Sequence, residues 1–187
     1  MSEWKITYRG NVYPWHCDHM GHMNVMWYAG KFDEACWQLL AMLGLHPSRF
    51  AQDGTGMAAV EQHTQYKREL HAGDAVTVQS ALLEVKDKSI HMLHKMVHDA
   101  SGEVAATTVV VAVHLDATIR RAIRFPEDVR QRAIEIKKRE TTALQEMCEE
   151  RGDANQLRGP SDGSSRSCNS VRELLHCRQS ERNWNSN

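Results

Sequence analysis

The chain has 187 residues and a formal net charge of −1, with 23 Lys and Arg against 24 Asp and Glu. That balance offers no basic footprint for DNA or RNA, which bind through many phosphate contacts, so nucleic acid is not an expected partner. With 41% hydrophobic and 25% charged residues, the composition is that of a soluble protein with one main core, not of a fibrous or wholly disordered chain.

Apolar stretches such as Val109 to Val113 fall far short of the ~20 residues that a membrane-spanning helix requires. Met1 to Met20 lacks the basic, apolar and small-residue regions of a signal peptide. A cytoplasmic protein without membrane contact is expected. The five cysteines (Cys17, Cys36, Cys148, Cys168 and Cys177) form no Cys-x-x-Cys pair, which fits free thiols in a reducing compartment.

Trp4, Ile6, Tyr8 and Val12 alternate with Lys5, Thr7, Arg9 and Asn11, the period of a half-buried strand ending near Pro14. Trp15 to Met23 has no regular period and reads as a loop dense in titratable groups. From Val25 to Leu43 apolar residues cover most of a helix and leave Lys31, Glu34 and Gln38 as a narrow polar stripe. Asn24 is a good N-cap and Gly44 a good C′ residue for it. His46, Pro47 and Ser48 begin a turn or short helix, and Asp53 to Gly56 reads as a loop.

Four strands are predicted next, roughly Met57 to Leu70, Ala75 to Val85, Ser89 to Asp99 and Glu103 to Leu115, separated by turn-sized segments. Short connections favour an antiparallel sheet, and the last strand, apolar on both faces, should be central. His91, His94 and His98 are expected to be exposed strand residues. Pro126, Glu127 and Asp128 start an amphipathic surface helix over 125–151, with Asp128–Arg132 and Glu135–Arg139 at i,i+4. Beyond it, 152–187 is rich in Ser, Asn, Gly and Arg and is expected to be disordered or loosely docked, with Val171, Leu174, Leu175 and Trp184 as its few anchors.

The run from Val12 to Tyr28, with Asp18, Gly21-His22, Asn24 and Tyr28, continuing to Phe32-Asp33-Glu34-Ala35, resembles the active-site signature of hot-dog thioesterases of the 4-hydroxybenzoyl-CoA thioesterase type. Tyr66 to Leu70 with Gly73-Asp74 is a second, weaker match. The resemblance covers about Ile6 to Asp116. The element order agrees independently with that α+β architecture: a long helix wrapped by a curved five-stranded antiparallel sheet, β-α-β-β-β-β, over 1–124, followed by the surface helix.

The resemblance implies an acyl-CoA thioesterase that needs no metal or organic cofactor. A thioester carbonyl requires a nucleophile or a water-activating base, and donors aimed at its oxygen. Asp18 can supply the first, as nucleophile or general base, and the free amides at the helix start, near Val25, the second. His22 and Asn24 match the signature as supporting residues. Trp27 and Tyr28 are placed near the substrate, with Met20, Met23, Met26 and Met57 as further candidates for an acyl pocket. Lys88 and Ser89, or Arg120, Arg121 and Arg124, are placed near the CoA phosphates. The family further implies a homodimer with a continuous sheet, often doubled to a homotetramer, whose site also uses the partner's second strand near Glu61 and Thr64.

A metal site is the rival use of His16, Cys17, Asp18, His19 and His22, but zinc usually draws ligands from two segments and no second cluster matches, so none is expected. Two functional rivals remain: hydrolysis of acyl groups on acyl carrier protein, and non-catalytic binding of acyl thioesters.

Overall fold

The computed structural model describes residues 4–137. The elements in chain order are β1 (Lys5–Asn11), a 3-10 turn (Pro14–His16), α1 (Val25–Met42), α2 (Pro47–Asp53), β2 (Thr55–Tyr66), β3 (Ala75–Val85), β4 (Ser89–His98) and β5 (Val104–Asp116). A last helix, α3, begins at residue 127 and continues to 137. The expected end of that helix, its Glu135–Arg139 pair and the segment 152–187 lie outside the described residues.

The five strands form one sheet in the order β1-β3-β4-β5-β2, and every neighbouring pair is antiparallel. β5 is an interior strand between β4 and β2, as its two apolar faces require, while β4 holds the middle of the sheet. The segment expected as a loop at Asp53 to Gly56 is shorter than expected. Gly54 takes a left-handed conformation to close α2, and β2 begins at the next residue.

α1 packs along one face of the sheet. Phe32, Ala35, Leu39 and Leu43 are fully buried, and they meet two groups of sheet residues. Toward the C-terminal half of α1 the partners include Ile90, Met92 and Val110; toward its N-terminal half they include Val76, Val78, Met96 and Ala105. The helix starts and stops where its sequence says. Asn24 Oδ1 accepts from the Met26 amide at 3.0 Å. At the other end the Gly44 and Leu45 amides turn back to the carbonyls of Ala41 and Leu40, with Gly44 at φ +83°, a Schellman closure.

Two expectations about polar residues are corrected. Lys31 is buried at 4% exposure instead of lying on a solvated stripe. Its face of α1 turns toward β1, where Nζ donates to the Tyr8 hydroxyl at 2.8 Å and the Asn11 carbonyl at 3.2 Å. His94 and His98 are likewise buried. β4 alternates strictly, and the parity that sends Ile90, Met92 and Met96 into the core sends both histidines with them.

α3 docks through Val129 and Ala133, both fully buried. Asp128 takes a bidentate partner, Arg49 of α2, at 2.7 and 2.9 Å, with the expected Arg132 contact longer at 3.7 Å. The Arg49 guanidinium holds the Asp128 carboxyl down at about 2.

Candidate active site

The segment between β1 and α1 folds into a tight, hydrogen-bonded loop. Cys17 and Met23 form an antiparallel bridge. Inside it the Asp18 amide donates to the His22 carbonyl at 3.2 Å and the Gly21 amide to the Asp18 carbonyl at 3.0 Å. Gly21 sits at φ +83°, a conformation that side chains other than Asn and Asp rarely adopt, so this turn requires its glycine. The Met23 amide ties the loop to the Leu70 carbonyl at 2.7 Å, and the Asn24 amide ties it to the His16 carbonyl at 2.9 Å.

This architecture presents the Asp18 carboxylate at the start of α1. Its Oδ2 accepts from the Asn24 side-chain amide at 2.7 Å and its Oδ1 from the Met20 amide at 2.9 Å. Asn24 thus has two jobs, holding the carboxylate with one end of its amide and capping the helix at Met26 with the other. The Asn24 hydrogen bond first, and the Met20 amide second, hold the Asp18 carboxyl below the usual carboxylate range. It is therefore ionised at neutral pH.

With Met26 capped and the Trp27 amide turned back to the Asn24 carbonyl at 2.9 Å, the Val25 amide is left without an acceptor among the described residues. It is the first donor at the positive end of the helix dipole. An amide so placed can receive a carbonyl oxygen.

The other expected residues divide into three groups. His22 lies beside the loop, with Nδ1 3.5 Å from the Met23 carbonyl and Nε2 3.8 Å from Glu69. Trp27 is half-buried against the His16 ring at 4.3 Å between centroids. Tyr28 is buried, donates to the Arg68 carbonyl at 3.1 Å and meets Tyr66 edge-on; burial pushes its hydroxyl up to about 12. These residues sit at the Asp18 end of the sheet.

Glu61 and Thr64 lie on β2, with Thr64 bonded to Thr108 at 2.8 Å. Lys88 and Ser89 sit at the opposite end of the sheet from Asp18, where Ser89 pairs with Val113. Arg120, Arg121 and Arg124 also follow β5 at that end. A single chain does not bring these cations to Asp18.

Met23 is core at 1% exposure, whereas Met20 and Met26 stand out from the surface at 68% and 62%. Met57 lines a shallow, mostly apolar groove between α1 and the strands, together with Phe32, Cys36, Leu40 and Val110.

In the sequence His16 stands out only as a rival metal ligand. It is buried at 6% exposure, and its Nδ1 accepts from the Tyr13 amide at 3.1 Å. Its spacing three residues after the start of a Pro-containing turn is the signal that could have marked it. Among the described residues no group of three or more His, Cys, Asp or Glu is arranged to hold a metal, and no helix is long and apolar enough to cross a membrane.

A long helix on a five-stranded antiparallel sheet, with an ionised aspartate held at the helix start, defines a hot-dog domain of the acyl-CoA thioesterase class. The sequence profile of the thioesterase-like superfamily matches residues 12–133, and the chain belongs to that family. It is a thioester hydrolase.

Among curated relatives, a betainyl-CoA thioesterase of Pseudomonas aeruginosa is 27% identical over 129 residues, covering 69% of this chain and 81% of its own. A gentisyl-coenzyme A thioesterase structure is 28% identical, with a TM-score of 0.59 over 66% of this chain and 98% of that one. A hypothetical protein from Staphylococcus aureus, solved in complex with CoA, shares the fold at a TM-score of 0.68 and 23% identity, covering 72% of this chain and 85% of that one.

Proposed function

We propose that the protein hydrolyses an acyl-CoA to the free acid and CoA, with Asp18 as the catalytic carboxylate and the Val25 amide as the donor to the thioester oxygen. The observation that carries this reading is the shared Asn24 side chain, which fixes an ionised carboxylate and the start of α1 in one arrangement. As the carbonyl carbon becomes tetrahedral, charge grows on its oxygen, and an amide already aimed from the helix end needs no reorganisation to receive it.

Asp18 can act in two ways. Attack by its carboxylate expels the CoA thiolate and leaves a mixed anhydride that water then cleaves; alternatively it removes a proton from a water that attacks the carbonyl directly. Neither route calls for a metal or an organic cofactor. His22 supports the loop beside the carboxylate. Trp27 and the apolar groove beside α1 favour an acyl group with substantial apolar surface. The unpaired thiols Cys17 and Cys36 fit a reducing cytoplasm.

A second copy of the chain completes the site in this reading. β2 is an edge strand with no fully buried residue, and Val60 on it is 60% exposed. Such an edge invites pairing with itself. A two-fold axis through paired β2 strands would bring the partner's opposite sheet end toward this chain's Asp18. In that arrangement Lys88 and Ser89 of one copy would hold the CoA phosphates over the site of the other, with Glu61 and Thr64 at the seam. The assembly is a homodimer that can double to a homotetramer.

Thiol release from a panel of CoA thioesters, including betainyl, gentisyl and straight-chain acyl groups, tests the reaction. Turnover of acyl groups only on acyl carrier protein would favour that rival, and binding without thiol release would favour a non-catalytic role. The shared site is tested by Lys88→Ala, expected to raise KM about tenfold for one lost charge-assisted contact. Mixing Lys88→Ala with Asp18→Asn protein should restore activity by forming one intact site per heterodimer. Failure of the mixture to exceed its parents would place Lys88 outside the partner's site.

A further inference from the structure

We infer that His16 is the positioning residue for Asp18: its ring holds the turn whose carbonyl places Asn24, and Asn24 holds the carboxylate. The inference rests on the proposed role of Asp18 and extends it to a residue that does not touch the substrate.

The links are continuous. The Tyr13 amide donates to His16 Nδ1 at 3.1 Å while the His16 amide donates back to the Tyr13 carbonyl at 2.9 Å, a reciprocal closure of the 3-10 turn. The His16 carbonyl then accepts from the Asn24 amide at 2.9 Å, and the Asn24 side chain donates to Asp18 Oδ2 at 2.7 Å. His16 is the buried polar residue of this loop. Its ring is clamped by Trp27 of α1 at 4.3 Å and met edge-on by Tyr13 and Trp15 of its own turn at 5.5 and 5.8 Å.

An accepting Nδ1 must be unprotonated, so the ring is neutral with its proton on Nε2. Burial first, and the nearby Lys31 ammonium of α1 second, favour that neutral form by lowering the pKa. Protonation would turn Nδ1 into a donor facing the Tyr13 N–H, and the turn would open. Asp18 itself is held below the ordinary carboxylate range. On this inference the acid limb of the rate profile belongs to the opening of the His16 turn.

Two substitutions separate packing from acceptance. His16→Phe keeps an aromatic ring against Trp27 and removes the acceptor; His16→Asn places an oxygen near the Nδ1 position and removes the titration. His16→Phe should lower kcat at least tenfold with KM within about twofold of wild type. His16→Asn should keep most of kcat and move the acid limb at least one pH unit lower.

A wild-type kcat in His16→Phe, or an unmoved acid limb in His16→Asn, overturns the inference. Nitrogen NMR of the His16 ring gives a readout that does not depend on thioester turnover. The Nε2–H tautomer at neutral pH, with a Tyr13 amide that loses exchange protection as the ring titrates, supports the positioning role. An Nδ1–H tautomer overturns it. Loss of turnover in every protein including wild type, with the Nε2–H tautomer in place, would sink the thioesterase reading instead.

Discussion

Asp18→Asn is expected to lower kcat on the best CoA thioester by about a thousandfold or more, the scale at which a positioned nucleophile or base acts. KM should change little, because the carboxylate engages the reacting carbon and not the CoA moiety. The substitution is close to isosteric, and an amide oxygen can still accept from Asn24 Nδ2 or from the Met20 amide, though not from both. The loop should keep its shape and the melting temperature should hardly move.

Repeated turnover in labelled water sharpens the outcome. A nucleophilic carboxylate whose mixed anhydride is opened by water at the aspartyl carbon carries label into Asp18, whereas a general base leaves it unlabelled. Thioester hydrolysis undiminished in a folded Asp18→Asn protein would remove the carboxylate from the mechanism.

α1 and its two ends were legible because their signals are local: an apolar pattern of helical period, Asn24 before it and Gly44 after it. The strands were legible from alternation and turn-sized gaps. Lys31 was not, because a polar residue on a mostly buried helix reads as solvated unless the acceptors opposite it are known. Those acceptors, the Tyr8 hydroxyl and the Asn11 carbonyl, belong to a strand twenty or more positions away.

His94 is a different failure. Its parity with Ile90, Met92 and Met96 on β4 points it inward, whereas its polar residue type alone points it to solvent. In the site, Asp18 stood out because the run from Val12 to Tyr28 resembles a thioesterase signature. Its coupling through Asn24, and the role of His16 behind Asn24, are side-chain contacts that no spacing encodes.

His94 also gives the second large expected effect. It lies at 0% exposure in a chain of polar contacts that crosses the core: Thr7 to Ser80 at 2.6 Å, Ser80 to His94 Nδ1 at 2.5 Å, and His94 Nε2 to Cys36 Sγ at 3.2 Å. Every partner is neutral, since burial pushes the Cys36 thiol up to about 12. Burial depresses His94 to about 4 against an ordinary value of 6.5.

The unfolded chain therefore binds a proton at His94 between about pH 6.5 and 4 that the folded chain refuses. Stability is full above this window and falls as the pH drops through it. From pH 7.5 to 5.0 the loss assignable to His94 is about 2 kcal/mol, and about 3 kcal/mol once the window has been crossed. His16 and His114, also lowered by burial, act in the same direction.

Urea denaturation at the two pH values measures the sum, and His94→Gln isolates the part due to this residue. The variant should be less stable than wild type at pH 7.5, because its contacts to Ser80 and Cys36 are imperfect. It should nonetheless lose about 2 kcal/mol less on acidification. Equal acid losses in the two proteins would mean that His94 titrates alike folded and unfolded, which a fully buried imidazole with only neutral partners does not do.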